Sequence, residues 1–106
     1  MKLYIITRSD ISPGLRAAQS CHALSLFAEE HPGPYKRWSE SSNNLVVLEV
    51  DDEAALQRLL SSAQAQEVAV SAFHEPDLDD AMTALALSWE GQRLVSNIRL
   101  ALRDVA

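Results

Sequence analysis

Apolar and polar positions along this chain switch between two periods, and the switches mark its elements. Leu3 to Thr7 (LYIIT) is short, nearly all apolar and rich in β-branched residues, which predicts a strand buried on both faces. Arg8, Ser9 and Asp10 end it. Ser12-Pro13-Gly14 is turn chemistry, with Ser12 placed to cap a helix and Pro13 at its first position. From Leu15 to Glu30, residues Ala17, Ala18, Cys21, Leu24, Leu26 and Phe27 recur at helical spacing, and His31-Pro32-Gly33-Pro34 stops that helix. A short second helix near Tyr35 to Glu40 carries Trp38 inward, and Ser41 to Asn44 is a loop. Leu45 to Val50 (LVVLEV) reads as a second strand. Asp51 and Asp52 then cap a helix over roughly Glu53 to Gln66, with Ala54, Leu56, Leu59 and Leu60 as its inner face. Val68 to Phe73 alternates as a third strand, Glu75 to Asp80 is an acidic loop, and Met82 to Ser88 is a fourth strand. The tail from Glu90 to Asp104 has Leu94, Ile98 and Leu102 at helical spacing. The order β-α-(α)-β-α-β-β-α predicts a mixed α/β sheet with right-handed crossovers wherever strands are parallel.

At 106 residues the chain suits one domain spanning 1–106, with 47% hydrophobic and 23% charged residues. No apolar stretch approaches the roughly 20 residues of a spanning helix, and no signal peptide is expected. The one cysteine, Cys21, excludes an internal disulfide framework and a cysteine-based zinc site, which fits a cytoplasmic setting. A net charge of −6, from 9 basic and 15 acidic residues, disfavours general attraction to nucleic acid but does not exclude a local basic patch.

Several positions could carry chemistry. Gln19 and His22 lie three residues apart and share a helix face, where an imidazole and an amide could orient a water or a carbonyl. A helix histidine held by a structural hydrogen bond fits the same pattern. Cys21 and His22 are helical neighbours about 100° apart and cannot pair as nucleophile and base, so Cys21 reads as a small core residue. Four carboxylates within Glu75 to Asp80 match no calcium loop, because the glycine and the distal glutamate are missing; a solvated loop is the plainer reading, and no metal is expected. Glu75 follows one strand and Thr83 opens the next, so the two could face one cleft and hold a hydrolytic water. Arg8 and Asp10 close the first strand ahead of a helix start, where ligands collect in α/β sheets, although a surface ion pair fits them as well. Tyr35-Lys36-Arg37-Trp38 could stack on a base while binding phosphate; a buried Trp38 between solvated cations is the alternative. Arg93, Arg99 and Arg103 make either a basic stripe or the wet side of the last helix.

Arg8-Ser9-Asp10 followed by Ala17-Ala18-Gln19-Ser20-Cys21-His22-Ala23 resembles the type II peptidyl-tRNA hydrolases. Trp38 followed by Leu45 to Val50, Asp52 to Leu56, Thr83 to Leu87 and Leu94 to Leu100 extends the likeness over nearly the whole chain. The resemblance implies a three-layer α/β sandwich with a four-stranded mixed sheet flanked by helices, commonly a homodimer. It implies hydrolysis of the ester joining a peptide to the 3′ end of tRNA, without a cofactor and away from membranes. By position, Glu75, Thr83, Gln19 and His22 become the catalytic candidates. Glu75 would position a water, Thr83 and Gln19 would hydrogen-bond the ester, and His22 would orient a neighbour or contact the 3′-terminal nucleotide. Arg8, Asp10, Arg16 and Asp77 become substrate-binding candidates, with Arg8 or Arg16 supplying positive charge. Two departures stand out. The family's lysine two residues before Ala-Ala-Gln is Leu15 here, and its Asp-Ala-Gly-x-Thr loop is replaced by Glu75-Pro76-Asp77-Leu78. A non-catalytic binding module working through the Glu75–Asp80 loop is the rival expectation, and a hydrolase of another substrate is a third.

Overall fold

A computed structural model describes residues 1–103. The elements are β1 (Lys2–Arg8), α1 (Pro13–Glu30), α2 (Pro32–Ser41), β2 (Asn44–Val50), α3 (Glu53–Ala65), β3 (Val70–Glu75), β4 (Ala81–Leu87) and a short α4 (Gln92–Val95). Single 3₁₀ turns cover Pro76–Leu78 and Trp89–Gly91. One sheet forms in the order β2-β1-β4-β3, with β1 parallel to β2 and antiparallel to β4, and β3 antiparallel to β4.

The continuous apolar run of β1 is explained by helices on both sides of it. Leu3 and Ile5 face α1 and α2, where they pack with Ala23, Phe27 and Trp38. Tyr4 and Ile6 face the opposite way, into a cluster with Leu56, Leu59, Leu85 and Leu87 under α3. The result is the three-layer mixed α/β architecture that the sequence predicts. Ala84 and Ala86 of β4 are fully buried on the α1 side, and side chains this small let that helix lie close to the sheet. Ser12 caps α1 by accepting from the Leu15 N–H, with Pro13 at the first turn. Asp52 caps α3 through the Ala55 N–H. Trp38 is buried and donates its indole N–H to the Asn44 carbonyl at 2.8 Å, so the plainer reading of the Tyr35–Trp38 run holds.

The tail corrects the sequence reading. Helix persists only over Gln92–Val95, so neither a long last helix nor an arginine stripe along it forms; Asp104 lies outside the described residues. The segment instead runs antiparallel beside β2, with Leu100 bridging Leu48. The Glu49 N–H donates to the Arg99 carbonyl, and the Ala101 N–H to the Val47 carbonyl. β2 is an edge strand with backbone groups to satisfy, and the tail satisfies them. Leu94 and Ile98 still pack on the core, as their spacing suggests. Among the described residues no helix is long and apolar enough to cross a membrane.

Candidate functional site

At one edge of the sheet β1, β2 and β3 end and β4 begins, and α1 crosses above. The pairing of β3 with β4 slips there. Phe73 faces Ala84, whereas His74 faces Met82, so Thr83 is an extra residue on β4. A bulge of this kind re-aims a side chain. Ala84 and Ala86 already face α1, and strict alternation would send Thr83 the other way. The slip lets it face α1 too.

Thr83 there donates to Gln19 Oε1 at 2.7 Å, and Gln19 Nε2 donates to Glu75 Oε1 at 2.9 Å. Behind them the Thr7 hydroxyl donates to the Thr83 carbonyl at 3.2 Å. Thr7 and Thr83 have no exposed surface, and Gln19 retains 1%. The amide orientation follows from chemistry, because an ionised carboxylate only accepts and the NH₂ end must face it. The second oxygen of Glu75 accepts the Asp77 N–H at 3.3 Å. The turn after it closes with the Asp80 N–H on the Glu75 carbonyl, and Asp79 and Asp80 both take left-handed backbone angles. The Gln19 amide, then the Asp77 N–H, hold the Glu75 carboxyl below the usual glutamate range; slight burial opposes this and nearby His22 assists. Glu75 is therefore a fixed, ionised, partly open carboxylate with lone pairs free for a water or hydroxyl.

His22 is exposed, and its ring lies 4.7 Å from the Phe73 ring at 15°, which is a stacked geometry. The predicted cations sit elsewhere. Arg8 makes a two-pronged pair with Asp10, at 2.7 and 2.8 Å, and donates to the Met82 carbonyl. That pairing raises the Arg8 pKa and lowers that of Asp10. Arg16 donates to the Ile11 carbonyl and pairs with Glu49 at 3.3 Å, on the β2 side of the edge. Both arginines are thus neutralised by a carboxylate. Leu15, in the place of the family's lysine, is 39% exposed. The Asp77 side chain points to solvent, and only its backbone touches Glu75. Among the described residues no three His, Cys, Asp or Glu side chains converge as metal ligands would.

Of the residues proposed from sequence, the structure brings together Gln19, Thr83, Glu75 and His22, and it places Arg16 apart. Two neighbours went unnoticed. Thr7 shares the face of Leu3 and Ile5 by simple alternation, and Phe73 shares the face of Glu75 by the same rule. That signal was available in both cases.

Residues 1–103 match the family Peptidyl-tRNA hydrolase PTH2. No curated protein matches the sequence. Among solved structures, a protein of unknown function from Agrobacterium tumefaciens strain C58, Atu0240, superposes with a TM-score of 0.66 at 12% identity. The match covers 93% of this chain and 96% of that one. At that identity the likeness concerns the fold.

Proposed function

The chain belongs to the peptidyl-tRNA hydrolase PTH2 family, and from that premise we propose that it hydrolyses the ester of peptidyl-tRNA, with Glu75 as the residue that handles the water. One observation carries the reading. A threonine and a glutamine are buried in series, and their only evident service is to fix one carboxylate at the open edge of the sheet. Burying polar groups costs free energy unless each is paired, and the core gains nothing from this pair that apolar side chains would not supply better. In the proposed reaction a water held by Glu75 attacks the ester carbonyl carbon, and Glu75 accepts its proton. The carbon–oxygen bond to the ribose then breaks, the proton passes to the departing 3′ oxygen, and the products are free tRNA and a peptide acid. Gln19 and Thr83 are too enclosed to touch the ester, so in this reading they are positioning residues. Arg8 and Arg16 are not assigned the developing oxyanion, since each is already paired.

A cytoplasmic homodimer is part of the same proposal. The dimer is supported by an apolar groove of about 240 Å³ between α1 and β2, with Leu45 and Leu102 exposed on its rim; the compartment rests on the single cysteine. A second reading, the non-catalytic binding module, is favoured by the acidic run Glu75, Asp77, Asp79 and Asp80 together with the neutralisation of Arg8 by Asp10 and of Arg16 by Glu49.

The test is cleavage of peptidyl-tRNA by the purified protein, with Glu75→Gln alongside. Cleavage that falls by roughly 10²- to 10⁴-fold in the variant, the usual loss for a general base, supports the hydrolase. A parent protein that leaves the ester intact overturns it in favour of the binding module.

A further inference from the structure

The bulge that aims Thr83 at Gln19 lies where β4 has run out of sheet partners on its β1 side. The ladder between β1 and β4 stops at Thr7 opposite Ala84, and past Arg8 the chain turns away, with the Ser9 N–H donating to the Val50 carbonyl of β2. Side chains take the place of the missing strand. The Thr7 hydroxyl donates to the Thr83 carbonyl at 3.2 Å. The Arg8 guanidinium donates to the Met82 carbonyl at 3.1 Å, while Asp10 grips its other edge. Glu53, in the first turn of α3, accepts the Met82 N–H at 2.7 Å. Both backbone groups of Met82 are thus held by charged side chains, and charge-assisted bonds are the stronger kind. Met82 and these two holders lie on the α3 face of the sheet: Met82 packs with Leu56 and Leu59, and Arg8 follows Tyr4 and Ile6 by alternation.

We infer that Glu53, Arg8 and Thr7 form a clamp that fixes the β4 bulge from behind, and so act as positioning residues for Glu75 on the far side of the sheet. This rests on the hydrolase reading above and carries its machinery through the sheet, from the clamp to the bulge, from Thr83 to Gln19 and from Gln19 to Glu75. Glu53 and Arg8 stand on the opposite face from Glu75, and Thr7 is fully buried, so none of the three is a catalytic residue. The Arg8–Asp10 pair then has a task other than substrate binding: Asp10 orients a guanidinium whose free edge holds Met82.

The test reads Glu75 directly. Its side-chain carboxyl is titrated by carbon-13 NMR in the parent, Glu53→Ala, Glu53→Gln and Thr7→Val, with kcat and KM for peptidyl-tRNA measured alongside. In Glu53→Ala the Met82 N–H loses its acceptor, the bulge loosens, Thr83 no longer orders Gln19, and Glu75 should titrate at higher pH. Deleting a negative charge alone would shift it lower, so the sign separates the clamp from plain electrostatics. The kcat should fall roughly 10- to 100-fold with KM little changed, the scale of a reacting group misplaced by about 1 Å. Glu53→Gln keeps an acceptor oxygen and should restore both readings. Thr7→Val should move the titration upward as well, and it carries the test if Glu53→Ala does not fold. An unchanged Glu75 titration in either folded variant overturns the clamp. So does Glu53→Gln behaving like Glu53→Ala, which would make the charge and not the bond the agent. A raised titration with no cleavage by the parent keeps the clamp and removes the hydrolase; cleavage with the titration unmoved keeps the hydrolase and removes the clamp.

Discussion

Replacing Thr83 by valine removes one hydroxyl and almost no volume. In the native protein that hydroxyl is the group hydrogen-bonded to Gln19 Oε1, in a place where Gln19 is 1% exposed. The variant leaves a buried carbonyl oxygen without a donor. An orphaned acceptor of this kind costs about 1–3 kcal/mol, whereas the packing change is minor. Taking ~2 kcal/mol as central, the melting temperature should fall by roughly 10 °C for a domain of this size. Gln19→Met creates the mirror fault by stranding the Thr83 hydroxyl, and its cost should be similar. The double variant joins two apolar side chains and should recover most of the loss, because Glu75 can turn to water. Urea denaturation of the parent, both singles and the double gives the coupling directly. If Thr83→Val costs less than about 0.5 kcal/mol, or if the two changes add within that margin, the buried relay is not a unit and the argument for Glu75 loses its support.

The remaining predictions concern other parts of the molecule. Glu75 is held below its ordinary pKa, so hydrolysis should persist as pH falls through the usual glutamate range and fail only below it; Gln19→Met removes the largest cause, and the acid limb of the kcat/KM profile should move up. Glu49 accepts from Arg16, Arg99 and the Leu102 N–H, which outweigh its burial and lower its pKa. Its stabilisation is complete above the unfolded glutamate value and is lost as pH falls through the lower folded one. Glu49→Gln should therefore cost about 1–2 kcal/mol at neutral pH, a gap that closes in acid, and should speed hydrogen exchange at Leu102. Gly91→Ala places a Cβ 2.6 Å from Leu87 Cδ2, a fully buried side chain, and should cost about 1–3 kcal/mol in thermal unfolding.

Much of the fold was legible because its signals are local. Ser12-Pro13 announces a helix start by its own chemistry, and the Ala-rich fourth strand is set by length and flanking turns. The tail was misread for a physical reason. Leu94, Ile98 and Leu102 have the spacing of a helix face, but the open edge of β2 offered backbone partners that no window of neighbouring residues reveals. The site divides in the same way. Gln19 and Glu75 could be named from motif and position. The bond from Thr83 that fixes Gln19 spans 64 positions and depends on a slip in the register of β3 against β4. The fate of Arg16 turned on Glu49, 33 residues away, a partner that its helix context does not indicate.

The strand order has a consequence for how the chain is made. β1 is synthesised before the other three strands, yet it sits inside the sheet, and Thr7 meets its partner Thr83 only after 76 further residues. Until β4 is made, β1 has β2 on one side and an unpaired edge on the other. Contacts of such long reach form slowly, and open strand edges invite wrong pairing meanwhile. The last strand to be added closes that edge and brings the hydroxyl that orders Gln19 against Glu75. A nascent chain halted before Ala81 would thus carry the carboxylate and the amide, but would lack both the strand that seals the sheet and the residue that sets the site.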